Sequence, residues 1–142
     1  MDTASLKVLL ANTYALYLKT QNYHWNVKGM HFAALHGFFE QQYEELAQSV
    51  DAIAEHIRML NAQAPGSFTE FQQLNKIPDA KASLDAAGMV ADLLASHALL
   101  LQILATTLTA AQQAENEVIM DFVIERMGAH QKHQWMLQSL NN

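Results

Sequence analysis

The chain has 142 residues, a length that fits a single domain spanning residues 1–142 with a substantial hydrophobic core. Apolar residues make up 51% of the chain and it has only two prolines and five glycines, a composition typical of a helical globular protein and not of a disordered one. The absence of cysteine excludes disulfides and thiolate metal sites, and the formal net charge of −6 disfavours unaided binding to a polyanion such as DNA.

The first twenty residues, MDTASLKVLLANTYALYLKT, lack the basic start and the uninterrupted apolar core of a signal peptide. The apolar runs elsewhere in the chain are shorter than a bilayer span requires. We therefore expect a soluble protein of the cytoplasm with no membrane partner.

Apolar residues that recur every three or four positions predict four long helices. The first begins near Thr3 or Ser5, either of which could cap it, and ends near Gly29. The second shows the clearest periodicity and runs from about His31 to Ala62.

The next segment, QAPGSFTEFQQLNKIPDAKAS, is rich in turn-forming residues. Within it, Phe68 and Phe71 are expected to anchor one short helical turn. The segment is long enough to travel back along a helix of roughly 45 Å. We therefore interpret it as a crossover connection between helices two and three.

The third helix carries a leucine-rich stripe from Val90 to Leu108, and the fourth runs from about Glu117 to Leu140. The connections that precede the second and fourth helices are short, which makes the helices they join antiparallel neighbours. The pattern therefore predicts an all-α four-helix bundle with a long crossover that carries a short extra helix. This is the ferritin-like topology.

The second helix carries two pairs of side chains that can bind metal. His36 and Glu40 are spaced i, i+4, as are Asp51 and Glu55, so each pair can point at one ion. The two pairs lie on one stripe but roughly 16 Å apart along the axis. The Glu-x-x-His pair of intrachain di-iron bundles occurs nowhere in the sequence. One chain therefore cannot bring both pairs to a single ion.

A second copy of the chain supplies the missing ligands. The midpoint between positions 40 and 51 is 45.5, and so is the midpoint between positions 36 and 55. If two copies of this helix cross antiparallel there, Glu40 meets Asp51 of the mate and His36 meets Glu55. His24, late on the first helix, could complete a shell of imidazoles and carboxylates that suits iron. The alternative interpretation is that the acids are solvated and the histidines have structural hydrogen bonds.

The stretch HWNVKGMHFAALHGFFEQQYEELAQSVDAIAEHI resembles the signature of the Dps family, the mini-ferritins named as DNA-binding proteins from starved cells. The likeness continues through SFTEFQQLNKI and KHQWML and covers essentially the whole chain. It implies a two-iron ferroxidase centre at a twofold interface, held by His24, His36 and Glu40 of one subunit and Asp51 and Glu55 of the other. It also implies that twofold dimers assemble into a hollow homo-dodecamer. Such a shell oxidises ferrous iron, preferentially with hydrogen peroxide, stores the ferric mineral and protects against oxidative stress.

Other positions also take their interpretation from this resemblance. Glu40 stands where the family usually has Asp, so we expect altered iron affinity and not a dead site. Trp25 is similar to the family tryptophan near the centre and could intercept stray oxidising equivalents, or it could simply be an interface residue. Asp121 matches an acid lining the pore through which iron enters, and Glu125 follows one turn later. His97 lies in the core stripe of the third helix, where we expect a hydrogen-bonded core histidine.

Relatives that coat DNA generally use a lysine-rich extension, whereas this chain has only Lys7 near its start and Lys132 near its end. We therefore expect weak or absent DNA binding. Two alternatives stay open at this point. One is a DNA-binding nucleoid protein in which iron oxidation is secondary, and the other is a structural bundle that has lost the chemistry.

Overall fold

The computed structural model describes residues 1–141, which form five helices. These are α1 (Ala4–Asn26), α2 (Phe32–Met59), α3 (Phe68–Leu74), α4 (Ala86–Gln113) and α5 (Glu117–Asn141). The helix α1 packs against α2, α4 packs against α5, and α1 also contacts α4 and the short α3. The predicted all-α bundle with a helix in its crossover is confirmed.

One hydrophobic core lies between the four long helices. Each helix contributes large side chains that are completely or almost completely buried, among them Leu16, Phe39, Ile53, Leu100 and Val123. Burying a side chain of this size stabilises the fold by about 1.5–3 kcal/mol. The bundle is therefore held mainly by this core, and the outer faces of its helices are left to carry ionisable groups.

Two residues in the left-handed region end the long helices α2 and α4. Asn61 has φ 63°, and the amides of Asn61 and Ala62 bond back to Arg58 and Ile57. Glu115 has φ 52° and ends α4 in the same way, because the amides of Glu115 and Asn116 bond back to Gln112 and Ala111. The helix α2 consequently ends three residues before the predicted boundary at Ala62.

The link between α1 and α2 is short and positions the first residues of α2. Val27 is extended, so α1 ends at Asn26 and not at the predicted Gly29. Gly29 has φ 111°, a conformation that glycine adopts without strain. The chain therefore reverses within five residues and brings the last turn of α1 beside the first turns of α2.

The helix starts differ in how they are capped. Thr3 is the N-cap of α1, but its side chain makes no capping bond, and the Asp2 carboxylate accepts from the amide of Ala4 instead. In the crossover, the Ser67 hydroxyl accepts from the amide of Glu70 and donates to its carboxylate, which also accepts from the amide of Gly66. These bonds define the start of α3, which has seven residues and is therefore longer than the single turn expected there.

The helix α4 is the only helix in residues 1–141 that is long and apolar enough to cross a membrane by length and composition. The sequence did not predict this, because polar residues such as Asp92 and His97 interrupt its apolar runs. In the bundle its residues Leu93, Leu100 and Leu104 are fully buried. Burial in the protein core accounts for the apolar character of this helix.

Candidate metal centre

His24 and His36 form a stacked pair where α1 passes into α2. Their ring centroids lie 3.8 Å apart with 15° between the ring planes. The Nδ1 of His24 lies 2.6 Å from the carbonyl oxygen of His36, and the Nδ1 of His36 lies 2.7 Å from the carbonyl oxygen of His24. The short reversal between the helices brings the two imidazoles together, as the sequence analysis required of ligands to one centre.

These two hydrogen bonds fix the tautomers of both rings. A carbonyl oxygen can only accept, so each Nδ1 must carry the hydrogen and donate it. In the neutral form of each ring the Nε2 is then unprotonated, and neither Nε2 has a hydrogen-bond partner within residues 1–141. Metal-binding histidines commonly use one nitrogen for the ion while the other donates to a carbonyl or carboxylate. The pair is therefore preorganised as two nitrogen ligands.

Asp51 and Glu55 form a carboxylate pair on the exposed face of α2. A side-chain hydrogen bond to Asp51 raises the pKa of Glu55, and repulsion from the same neighbouring carboxylate raises it further. Two acids in such contact cannot both ionise without mutual repulsion. A cation between them would relieve that repulsion, so the pair is suited to holding a metal ion.

The single chain does not bring the histidine pair and the acid pair together. Glu40 is exposed on α2 one turn beyond His36, whereas Asp51 lies three turns further along the same helix. Within residues 1–141, no group of three or more His, Asp or Glu side chains is close enough to hold one metal ion. The five candidate ligands thus divide into two separate sets.

The remaining candidate residues lie on the surface. Asp121 and Glu125 are both exposed on consecutive turns of α5. Trp25 is 59% exposed next to His24. The exposure of Asp121 and Glu125 agrees with a pore lining, and that of Trp25 agrees with an interface or redox residue. These assignments stay predictions.

The structure also contains a buried polar network that the sequence analysis did not find. It joins Glu45 of α2 to His97 of α4 and to Arg126, His130 and His133 of α5. Arg126 forms two hydrogen bonds to the Glu45 carboxylate, and the Nε2 of His133 lies 2.9 Å from the same carboxylate. The sequence does contain a signal of this network, because three of these residues interrupt the apolar stripe of α5 at positions 126, 130 and 133.

The hydrogen bonds of this network determine its tautomers. Arg126 can only donate, so the Nε2 of His130, 3.2 Å from the guanidinium, accepts. The Nδ1 of His130 then carries the hydrogen and donates to the Nδ1 of His97 at 2.9 Å. The hydrogen of His97 is left on Nε2, which has no partner among the described residues. His97 is buried in the core as predicted, but the expectation that its hydrogen bonds are satisfied there is wrong for Nε2 within the described residues.

Burial controls the charges in this network. It lowers the pKa of His97 to about 3, helped by the nearby His133 and Arg126, and it lowers the pKa of His130 well below its ordinary value. Burial acts to raise the pKa of Glu45, but the hydrogen bonds from His133 and Arg126 outweigh it and leave that pKa far below its usual range. The core therefore holds an ionised Glu45 and Arg126 beside neutral His97 and His130.

Comparisons with known proteins place the whole chain in a structural context. A family model described as a ferritin-like domain matches residues 3–142. The DNA protection during starvation protein 2 of Bacillus anthracis is 31% identical over 133 residues, which cover 94% of this chain and 91% of that protein.

Two solved structures are similar along nearly their full length. A Dps protein from Bacillus brevis has a TM-score of 0.95 and 28% identity, over 99% of this chain and 94% of that one. A Dps protein from Vibrio cholerae O1, described as a member of a broad superfamily of ferritin-like diiron-carboxylate proteins, has a TM-score of 0.93 and 29% identity, over 97% and 87%. The ferritin-like topology predicted from the sequence is confirmed.

Proposed function

Because the chain belongs to the Dps family of ferritin-like proteins, we propose that it is an iron-storing mini-ferritin with ferroxidase activity. In this proposal, ferrous iron is oxidised at centres shared between two subunits. The ferric product is stored inside a hollow dodecamer built from twofold dimers. Hydrogen peroxide is the preferred oxidant, so the reaction removes both reactants of hydroxyl-radical chemistry and protects the cell.

The observation that carries the proposal is the geometry of His24 and His36. Both rings give their Nδ1 hydrogens to main-chain carbonyls and keep both Nε2 lone pairs free. A purely structural role for the two histidines would not require the Nε2 of each ring to lack a partner while the rings stack 3.8 Å apart. The solvated-surface alternative gives no reason for this arrangement.

The acid pair completes the centre through a second subunit. Asp51 and Glu55 share the outer face of α2 with His36 and Glu40, and the two pairs are symmetric about position 45.5. An antiparallel crossing of two α2 helices would place each acid pair opposite a histidine pair of the mate. An isologous dimer would then contain two identical centres.

The ligand chemistry suits iron oxidation. Carboxylates stabilise the ferric product more than the ferrous reactant because charge pairing grows with oxidation state. Imidazoles retain affinity for the ferrous ion. One hydrogen peroxide accepts one electron from each of two ferrous ions and, with two protons, becomes two waters. The protein's contribution is to hold both ferrous ions where one oxidant can reach them.

DNA protection is the second candidate function because the Bacillus anthracis relative is named for it. The net charge of −6 argues against tight binding to a polyanion. We therefore propose iron storage as the main activity and weak or absent DNA binding. The cytoplasmic location stays a prediction.

The test is an anaerobic ferrous titration of the assembled protein, followed by hydrogen peroxide below one equivalent per two irons. We expect rapid ferric formation with the native sequence and only slow formation with His36→Ala plus Asp51→Ala. A matched control is His31→Ala, which removes an exposed histidine near the same turn. Equal slow oxidation by the native protein and the double variant would support the structural-bundle alternative.

A further inference from the structure

Three of the four tyrosines form a row of ring contacts between α1 and α2. The rings of Tyr43 and Tyr17 have centroids 5.9 Å apart at 66°, and those of Tyr17 and Tyr14 have centroids 5.6 Å apart at 73°. All three side chains are partly buried. The row is continuous along one side of α1.

The row begins at the candidate metal centre and ends at the crossover. At one end, Tyr43 meets His24 edge to face with a centroid distance of 5.2 Å. At the other end, Tyr14 contacts Phe71 of α3 at 5.0 Å. The three phenols thus connect a proposed metal ligand to a region remote from it.

The hydroxyl of the fourth tyrosine, Tyr23, has a structural role. Tyr23 donates to the carboxylate of Asp92 and accepts from the amide of Lys81, which ties the crossover to the bundle. The hydroxyls of Tyr14, Tyr17 and Tyr43 donate no hydrogen bond to another group in residues 1–141, and that of Tyr17 accepts one long bond, 3.4 Å, from the Nε2 of Gln21. Edge-to-face packing contributes about 0.5–1.5 kcal/mol per pair, and phenylalanine would supply it equally well. Apart from the bond between Gln21 and Tyr17, the property that these three positions add to packing is an oxidisable phenol.

We propose that Tyr43, Tyr17 and Tyr14 form a relay that carries one-electron oxidising equivalents away from the metal centre along α1. This inference rests on the proposed ferroxidase function. It concerns what happens when hydrogen peroxide meets a centre that holds one ferrous ion and not two.

The chemistry of that case balances with one tyrosine. Cleavage of the O–O bond of hydrogen peroxide to give two waters requires two electrons and two protons. A single ferrous ion supplies one electron, Tyr43 supplies the other electron and its phenol proton, and solvent supplies the second proton. The products are one ferric ion, one phenoxyl radical on Tyr43 and two waters. Without the tyrosine, the one-electron cleavage would release a hydroxyl radical beside the ligands.

The radical then moves by exchange between neighbouring phenols. Tyr43 regains an electron from Tyr17 and a proton from solvent, while Tyr17 releases its own proton to solvent. The same exchange transfers the radical from Tyr17 to Tyr14. Phe71 has no hydroxyl to oxidise, so the relay ends at Tyr14. Trp25 has no aromatic ring partner among the described residues and lies outside this row.

The relay can be tested on the assembled protein with ferrous iron and hydrogen peroxide. Each centre is loaded with one ferrous ion without oxygen, peroxide is added, and samples are frozen within milliseconds for electron paramagnetic resonance. We expect a tyrosyl radical with the native sequence, loss of most of this signal in Tyr43→Phe, and a signal of changed line shape in Tyr17→Phe. Tyr23→Phe is the matched control and should keep the native signal. Chromatography confirms that each variant remains assembled.

Two kinds of failure are distinguishable in this experiment. If the native protein oxidises ferrous iron no faster than the His36→Ala plus Asp51→Ala variant, the proposed function is wrong. If iron is oxidised faster than by that variant but no tyrosyl radical forms, or if either Tyr43→Phe or Tyr17→Phe gives the native signal, the relay is overturned. Protein with deuterated tryptophan separates one further outcome, because a signal that narrows on this labelling would place the radical on tryptophan and would also overturn the relay.

Discussion

The imidazoles of His24 and His36 each donate to the main-chain carbonyl of the other residue, so each histidine orients its partner. This reciprocity links the last turn of α1 to the start of α2. Each ring is held by its hydrogen bond to a carbonyl and by stacking on the other ring. Removing either ring therefore removes a candidate ligand and also the stacking contact that helps to orient the other ring. The two histidines should behave as a unit in their effect on iron binding.

We expect His36→Ala to weaken ferrous binding by about 10–100-fold, the range seen when ligand positioning is lost. The variant removes the stacking partner of His24 as well as one nitrogen ligand. Ferrous titration monitored by calorimetry without oxygen measures the change. His31→Ala, at an exposed position outside the pair, should bind like the native protein.

Mixing two inactive variants tests whether each centre is shared. A dimer of one His36→Ala subunit and one Asp51→Ala subunit has one centre with both defects and one centre with neither. Random mixing should therefore restore about one quarter of the native centres. The measurement is peroxide-driven ferric formation by co-expressed subunits. No recovery above the separate variants would contradict a centre built from both subunits.

Glu40 occupies the predicted ligand position at which the resemblance to the Dps family leads us to expect an aspartate. Its side chain is exposed on α2 and is one methylene longer than aspartate. Glu40→Asp should change ferrous affinity while preserving oxidation, because the carboxylate remains on the same face. Glu40→Gln removes the charge and should slow oxidation as well. Comparable kinetics for all three proteins would show that this carboxylate does not bind iron.

The sequence predicted the features that depend on one helix at a time. Periodicity located the four long helices, and i, i+4 spacing identified the acid pair of α2. It missed the network of His97, His130 and Glu45 because those contacts join three different helices. The interrupted apolar stripe of α5 marks the polar positions, but sequence separations of 33 to 88 residues do not show which residues pair. Helix ends were misplaced where one left-handed residue, such as Asn61, decides the boundary.

DNA binding should be weak and sensitive to salt. The net charge of −6 repels phosphates, and exposed lysines are too few to release many counterions. A gel-shift assay at low and moderate salt measures this. We expect a shift only at low salt, if one is seen at all. Tight binding that survives added salt would favour the nucleoid function over iron storage.

Glu45 neutralises the buried guanidinium of Arg126 in the bundle core. The Arg126 side chain is only 8% exposed, whereas that of Glu45 is 38% exposed and partly screened by solvent. Glu45→Gln leaves the cation without its counter-charge and should destabilise the fold by about 2 kcal/mol, below the range for fully buried pairs. Thermal unfolding at fixed protein concentration should show a fall of several degrees. Glu44→Gln, at the exposed neighbouring position, is the control, and an equal melting temperature for both variants would contradict the role of this pair.

His97 and His130 should make the protein sensitive to mild acid. In the unfolded chain a histidine binds a proton near pH 6.5, whereas burial keeps the pKa of His97 at about 3 and that of His130 well below its ordinary value. The unfolded state therefore binds more protons than the folded state below pH 6.5. The contribution of these histidines to the free energy of unfolding is fully present above that pH. It is lost as the pH falls, by up to about 1.4 kcal/mol per pH unit for each histidine.

Carboxylates alone would start to destabilise the fold only nearer pH 4.5. Glu45 belongs to this lower range, because a lowered pKa removes its contribution as the pH falls below the ordinary value for glutamate. The interval from pH 6.5 to 5 thus isolates the histidines. Urea unfolding of the iron-free protein across this interval measures the slope. His97→Asn can still accept from His130 and should reduce the slope, since one titrating group is gone, whereas the exposed His31→Asn should leave it unchanged. An unchanged slope in His97→Asn would show that this histidine is protonated in the folded protein.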